Sequence, residues 1–447
     1  MSAVRSTGAW VVAGGAMVLA GCALYRPKPL PSAPDLAPAP AIIVPASDLG
    51  LPGLRAEPFD PAKGLSETNV VTLAVLANPQ LVAARRGAGV ADAQSFAAGL
   101  LPDPQLSGGI SKSALFTGYS AALTQDLAAL VTHAAAKRAA KAHARQVRLD
   151  ILWQEWQVAA RARELYIEAT ALAQLRVLLD ARRESLAKLY HHDADALARH
   201  DLSVRQVSGD LSAWDSAEAD WRVFELRQTQ NRHALDALLG LAPTVRLRLN
   251  GGVGEADIDA ARYRAALAQL PRRRPDLLAL RAGYRSAEER LREEILAQFP
   301  VLGVGVVKAR SAEEGVQSTG FDVSLTLPIF NRNRGRIAVA RASRAYLYQS
   351  YQARLDESAS QADALWSALR IMQRQAAALD ARRAGMARAV AAAARGLADG
   401  AETLTDYTRL DSDALAVEIE FIELRESVQR ARAALSTLLA LPLRAER

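Results

Sequence analysis

Cysteine is almost missing from this chain. Among 447 residues there is one, Cys22, which excludes a disulfide framework and any cysteine-built metal cluster. Aromatic residues make up only 5% although half of all residues are apolar. Alanine fills the difference, so large cores packed with Phe and Trp are not what this composition builds. Charge of one sign is also scarce: 55 basic against 48 acidic residues give +7, spread along the whole length, which is not the footprint of a nucleic-acid-binding patch. Catalytic motifs are lacking too. There is no nucleophile elbow, no His-Glu zinc helix and no phosphate loop; "GAGVAD" (87–92) has no apolar strand before it, and Glu293 and Glu294 are helix neighbours that cannot converge on one substrate. No enzyme activity, catalytic residue or cofactor is expected.

The one cysteine has a specific setting. Arg5 is followed by the apolar stretch Ala9–Ala20 and by "LAGC" ending at Cys22, the order of a secretory signal with small residues before its cut. The apolar stretch is too short for a spanning helix of ~20 residues. "LAGC" resembles the bacterial lipobox, in which the Cys after the cut is acylated. Ala23 stands where lipoproteins retained at the inner membrane tend to have Asp, so the resemblance implies lipid anchoring of Cys22 at an outer membrane. Residues 1–21 then read as signal peptide and 22–64 as a tether, since ten of the nineteen prolines fall between 27 and 61 and keep that stretch extended.

From Tyr119 to Ser208 there is neither Gly nor Pro, and Leu149, Leu152, Trp153, Trp156, Ala160, Leu165, Ile167 and Leu172 recur at helical spacing. A helix from about Ala134 to about Tyr190 would be on the order of 85 Å long. The second half of the chain repeats the first. Pro79, Leu81, Ala83, Arg85, Gly87 and Ala91 return as Pro275, Leu277, Ala279, Arg281, Gly283 and Ala287 at one offset of 196 residues, as do Pro104, Leu106 and Gly109 as Pro300, Leu302 and Gly305. "LDALLGLAP" (235–243) faces "LSTLLALP" (435–442). Two units, 65–245 and 246–447, each contain a helix, a Pro-flanked strand pair, a very long helix, a polar turn and a second long helix.

The fourth strand is two-faced: Phe321, Val323, Leu325 and Leu327 are apolar, while Asp322, Ser324 and Thr326 between them are polar. Such a strand suits a membrane barrel with lipid outside and water inside. Closed barrels need about eight strands, and this chain has four, so copies would have to share one. The order and duplication of these units, with "LTLPIFNRNRGRIAVARA" after the last strand, resemble the TolC-type outer-membrane efflux proteins over roughly residues 65–445, and the lipobox with its tether resembles the lipoprotein branch of that family. The resemblance implies a mainly α chain with a small β part. A homotrimer would share a twelve-stranded transmembrane barrel continued by a periplasmic α-barrel. The partners would be a periplasmic adaptor, an inner-membrane pump and outer-membrane lipids, with no nucleic acid.

On that resemblance Phe321, Val323, Leu325 and Leu327 face lipid, and Asp322, Ser324 and Thr326 face the lumen. The turn "ADGAETLTDYTRLDSD" (398–413) matches the family's periplasmic tip through Gly400, Thr403 and Asp406, with Asp406 as the acidic gate residue; its counterpart in the first unit has His200 for Gly400 and Gln206 for Asp406. Read without the family, Asp406 is equally an exposed helix residue. Arg332, Arg334, Arg336, Arg341 and Arg344 follow the last strand without a nearby acid in sequence, and either lipid phosphates or water would suit them. "HHDAD" (191–195) gives adjacent histidines that point different ways on a helix, so no metal site is expected. The stretch 123–145 looks somewhat like the heavy-metal cation branch of the family, which leaves metal ions, drugs and solvents all open as cargo. A lipid-anchored periplasmic coiled-coil scaffold or adaptor is the competing reading; it would not require the 322–326 face to stay wet inside a membrane.

Overall fold

The structure is a computed structural model that describes residues 25–40, 64–114, 117–253, 258–314 and 316–442. Cys22, the leader and most of the tether lie outside the described residues. Residues up to Ala37 form a unit separate from the rest, and in it residues 25–37 contain neither helix nor strand. The body comprises α1 (Glu67–Ala77), α2 (Pro79–Ala97), β1 (Gln105–Lys112), β2 (Thr117–Asp126), α3 (Ala128–Ala198) and α4 (Val204–Leu238), then α5 (Ala260–Arg273), α6 (Pro275–Leu296), β3 (Val301–Arg310), β4 (Gln317–Thr326), α7 (Arg334–Ala398) and α8 (Leu404–Leu438).

α3 is longer than its sequence pattern suggests, 71 residues or about 105 Å, because nothing breaks it before His200. Buried alanines at 135, 139, 144, 159 and 162 let neighbouring helices approach closely. Its first half packs against α2 and α6, as in the Ser286 hydroxyl donating to the Ala139 carbonyl at 2.9 Å. Its second half packs against α4 and α8, with Leu172, Leu175, Phe224 and Ile422 forming one shared apolar cluster. α7, of 65 residues, runs beside α6 and then beside α8. Four helices therefore lie side by side at every level: α2, α3, α6 and α7 next to the sheet, and α4, α3, α8 and α7 farther away.

Two of these four columns are spliced. α4 ends where α2 begins, and the Asn78 side chain serves both ends: its amide donates to the Leu238 carbonyl at 3.0 Å, and its oxygen accepts from the Leu81 N–H at 3.0 Å. Orphan groups at both helix ends are thus satisfied by one residue. In the second repeat α8 meets α6, and Arg274 takes the position of Asn78. Its guanidinium donates to the Leu438 carbonyl at 3.4 Å and twice to Asp276, at 2.8 and 3.1 Å, while lying over the Trp153 ring. Arg274 is fully buried, and Arg354 of α7 also donates to Asp276, at 2.8 Å, so the charge is compensated where it is desolvated. Around this level α1 packs on α3 through Val70, Val71, Ala74, Trp156 and Tyr166, and Tyr263 of α5 stacks on Trp366 of α7 at 4.8 Å.

Candidate functional site: the two-faced sheet and the helical tip

The two hairpins join in a single antiparallel sheet of order β1-β2-β3-β4. Among the described residues neither edge strand, β1 or β4, has a partner on its outer side. The register lines up residues by chemistry. Leu106, Leu123, Val306 and Phe321 form one row across all four strands, with Val304 and Val323 in the next row and Leu302 and Leu325 in the one after. On the other face lie Gln105, Thr124, Gly305 and Asp322, then Ser107, Ala122, Val307 and Gly320, then Gly109, Ser120, Ala309 and Ser318. Phe321 is 90% and Val323 65% exposed, so among the described residues nothing covers the apolar face, a large liability in water. The small residues have a steric cause: a Cβ on Gly305 would come within 2.7 Å of Thr124 Cγ2, the crowding expected on the inside of a curling sheet.

Phe321, Val323 and Leu325 share the apolar face and Asp322, Ser324 and Thr326 the polar one. The strand ends at Thr326, one residue short of the alternation seen in the sequence. Leu327 precedes Pro328, which has no N–H for a ladder and restricts the residue before it. Beyond it, Arg332 and Asn333 both take left-handed backbone, φ 46° and 53°, and turn the chain into α7. Asn333 is held by the Glu294 carbonyl and carboxylate at 2.7 and 2.6 Å, and Glu294 lies 3.7 Å from Arg336. The arginine run, without an acid in the sequence, thus has one in space, supplied by α6. Among the described residues no helix is long and apolar enough to cross a membrane.

At the far end the turns α3–α4 and α7–α8 are built alike. His200 and Gly400 hold left-handed φ of 64° and 74°, and Asp201 N–H and Ala401 N–H reach back to the Ala196 and Gly396 carbonyls at 2.9 and 2.7 Å, a Schellman closure in both. Ser203 and Thr403 cap the second helices. The Thr403 hydroxyl accepts from the Asp406 N–H at 3.1 Å and donates to the exposed Asp406 carboxylate at 2.6 Å; in the first repeat Gln206 takes that place, its side-chain oxygen accepting from Ser203. Gly400, Thr403 and Asp406 are thus brought together as one capped turn.

One helical turn inside the tip is a set of charges that sequence reading missed. Arg409 of α8 donates to Asp210 of α4 at 2.8 Å, with Asp193 of α3 buried nearby and His192 Nδ1 2.9 Å from the Asp193 carboxylate. The Asp210 bond, followed by the Asp193 and Asp406 charges, holds the Arg409 guanidinium above its ordinary value. A signal existed: Asp210 and Arg409 are 199 residues apart, as are Arg227 and Glu426, one short of the 200-residue offset between the second helices of the repeats. Each pair joins α4 to α8 at equal height across α3. Among the described residues no group of three or more His, Cys, Asp or Glu is placed to hold a metal ion. A groove of about 640 Å³ between α3, α7 and α8 is lined by Arg161, Arg274, Arg354 and Arg430, and each of these bonds Glu164 or Asp276. Burial pushes the Glu164 carboxyl up, but the Arg161 and Arg430 bonds more than reverse this and hold it below its ordinary value. Such mutual pairing is structural.

The comparisons agree with this geometry. Residues 266–441 match the family model of outer membrane efflux proteins. A membrane protein from Pseudomonas aeruginosa shares the fold with a TM-score of 0.71 at 20% identity, over 94% of this chain and 98% of that one. The open state of the Neisseria gonorrhoeae MtrE outer membrane channel gives 0.69 at 16%, over 84% and 88%. CusC, solved in a study of folding and transmembrane channel formation, gives 0.66 at 16%, over 90% and 99%. This is the fold of the TolC-type outer-membrane efflux proteins. The family model matches within the second repeat, and the structural likeness extends the same fold through the first. No curated protein gives a significant match to the chain.

Proposed function

We propose that this chain is the outer-membrane exit duct of a tripartite efflux system, working as a homotrimer with a periplasmic adaptor and an inner-membrane pump, and anchored by lipid on Cys22. The observation that carries the reading is the sheet: four strands with both edges open, one face apolar and exposed, the other small and polar, continuous with helices about 105 Å long. Three copies supply twelve strands, enough to close the edges, place Phe321, Val323 and Leu325 against lipid and leave Asp322, Ser324 and Thr326 in a wet lumen. The same copies bring twelve helices around one axis at each level, with Asp406 at the closed end. A soluble scaffold would have to cover the apolar row of Leu106, Leu123, Val306 and Phe321, and nothing among the described residues does so. Cargo is set by what the pump delivers; the likeness of 123–145 to the heavy-metal branch makes metal cations the first class to assay.

The test is the native mass of the mature protein extracted from outer membranes in detergent. A trimer with acyl mass on each Cys22 is expected. A stable lipidated monomer would overturn the shared barrel.

A further inference from the structure

The apolar face of the sheet ends in cations. Beyond the row of Leu106, Leu123, Val306 and Phe321 comes Gly108, Ala121, Lys308 and Thr319, then Ile110, Tyr119, Arg310 and Gln317, and last Lys112 with Thr117. All Lys and Arg of the four strands are these three, all on the apolar face and all at the end away from the helices. The opposite face carries only acidic charge, Asp126 and Asp322. Lys308 and Arg310 are two residues apart, about 7 Å along β3, and Lys112 is two strands away, about 10 Å. Lys112 and Lys308 are exposed, and Arg310 and Tyr119 half-buried. Glu313 and Glu314 belong to the turn beyond β3, where their N–H groups donate to Ser311 Oγ at 3.2 and 3.3 Å.

A cation on the lipid side of a barrel is costly at mid-membrane and tolerated at the interface. There it meets phosphate, and an aromatic ring with a polar tip is at home at the same depth. We propose that Lys112, Lys308 and Arg310, with Tyr119 between them, bind the phosphate groups of lipid headgroups at the membrane surface farthest from the helices. This rests on the reading of the sheet as part of a transmembrane barrel. The three cations line the lipid-facing rim rather than the lumen, so they hold the annular lipid and leave the transported substance untouched.

The experiment compares the full-length lipidated protein with its Lys112→Gln/Lys308→Gln/Arg310→Gln variant, both purified from outer membranes in non-ionic detergent, by native mass spectrometry. The probes are bisphosphorylated lipid A and the same lipid with both phosphates removed. Each interfacial cation contributes about five-fold in affinity, so the wild type should prefer the phosphorylated lipid at least about ten-fold, and the variant should lose that preference. A Lys112→Arg/Lys308→Arg/Arg310→Lys variant should keep it. Equal binding by wild type and Gln variant, or displacement of the lipid by an equal concentration of inorganic phosphate, overturns the lipid site. Fractionation sorts the causes: a wild type that does not partition with outer membranes overturns the barrel as well, whereas a membrane-inserted oligomer without phosphate preference overturns the lipid site alone.

Discussion

Arg227 of α4 reaches over α3 to Glu426 of α8 and donates two hydrogen bonds to its carboxylate, at 2.6 and 2.7 Å, while its Nε bonds Glu168 of α3 at 2.8 Å. One guanidinium therefore ties three helices and both repeats together. Glu426 has a side chain only 4% exposed, so removing the arginine leaves a desolvated carboxylate with Arg430 as its remaining partner. Arg227→Met should lower stability by about 2 kcal/mol, read as a drop in the thermal midpoint. Adding Glu426→Gln should recover part of the loss. Additive losses in the double variant would show that the pair is not coupled.

Asp236 is the opposite case. Its side chain is 2% exposed and neither carboxylate oxygen has a hydrogen-bond partner. Burial raises its pKa, against the partial opposition of Arg232, His233 and Arg246. A carboxyl whose folded value lies above its unfolded one binds an extra proton in the folded state, so folding is favoured as pH falls and disfavoured as pH rises through the folded value. Asp236→Asn should therefore stabilise the protein at pH 7 by about 1 kcal/mol. The gain should shrink as the pH is lowered toward the ordinary carboxylate range. Denaturation midpoints at pH 7 and pH 4.5 check this, and a gain that grows on acidification would contradict it.

Leu325 lies on the exposed apolar face opposite Leu302. If this face meets lipid, Leu325→Arg should cost ~2–4 kcal/mol near mid-membrane and abolish the heat-resistant oligomer on gels. Ser324→Asn, a polar change on the other face, should leave assembly intact. Normal assembly of the arginine variant would count against the membrane reading.

At the tip, the Asp406 carboxylate has two roles that can be separated, because it accepts from the Thr403 hydroxyl and also carries charge. Asp406→Ala should remove both, raising single-channel conductance and weakening block by divalent cations. Asp406→Asn keeps an acceptor for Thr403 and removes the charge, so it should lose divalent block with little change in helix stability. Unchanged block in both variants would refute the gate assignment.

Much of this was written in the sequence because it depends on local rules. Pro104 and Pro300 mark the strand starts, period two marks the strands, and the stretch without Gly or Pro marks α3. α3 runs past the expected Tyr190 to Ala198, and His200 closes it in a left-handed conformation that sequence rules assign to Gly. The pairing of β2 with β3 depends on how the repeats dock, which no local pattern encodes. The Asp210–Arg409 and Arg227–Glu426 ties depend on helix rotation about α3. Their shared separation of 199 residues becomes a signal only once the repeat offset is compared with opposite charges instead of with identities.

The splices at Asn78 and Arg274 divide the four columns into two kinds. α3 and α7 pass that level as unbroken rods held by covalent backbone, whereas the other two columns are interrupted there and joined by the Asn78 and Arg274 hydrogen bonds and by apolar packing such as that of Leu277 with Leu435 and Leu439. Backbone continuity across that level therefore rests on two of the four columns of each protomer.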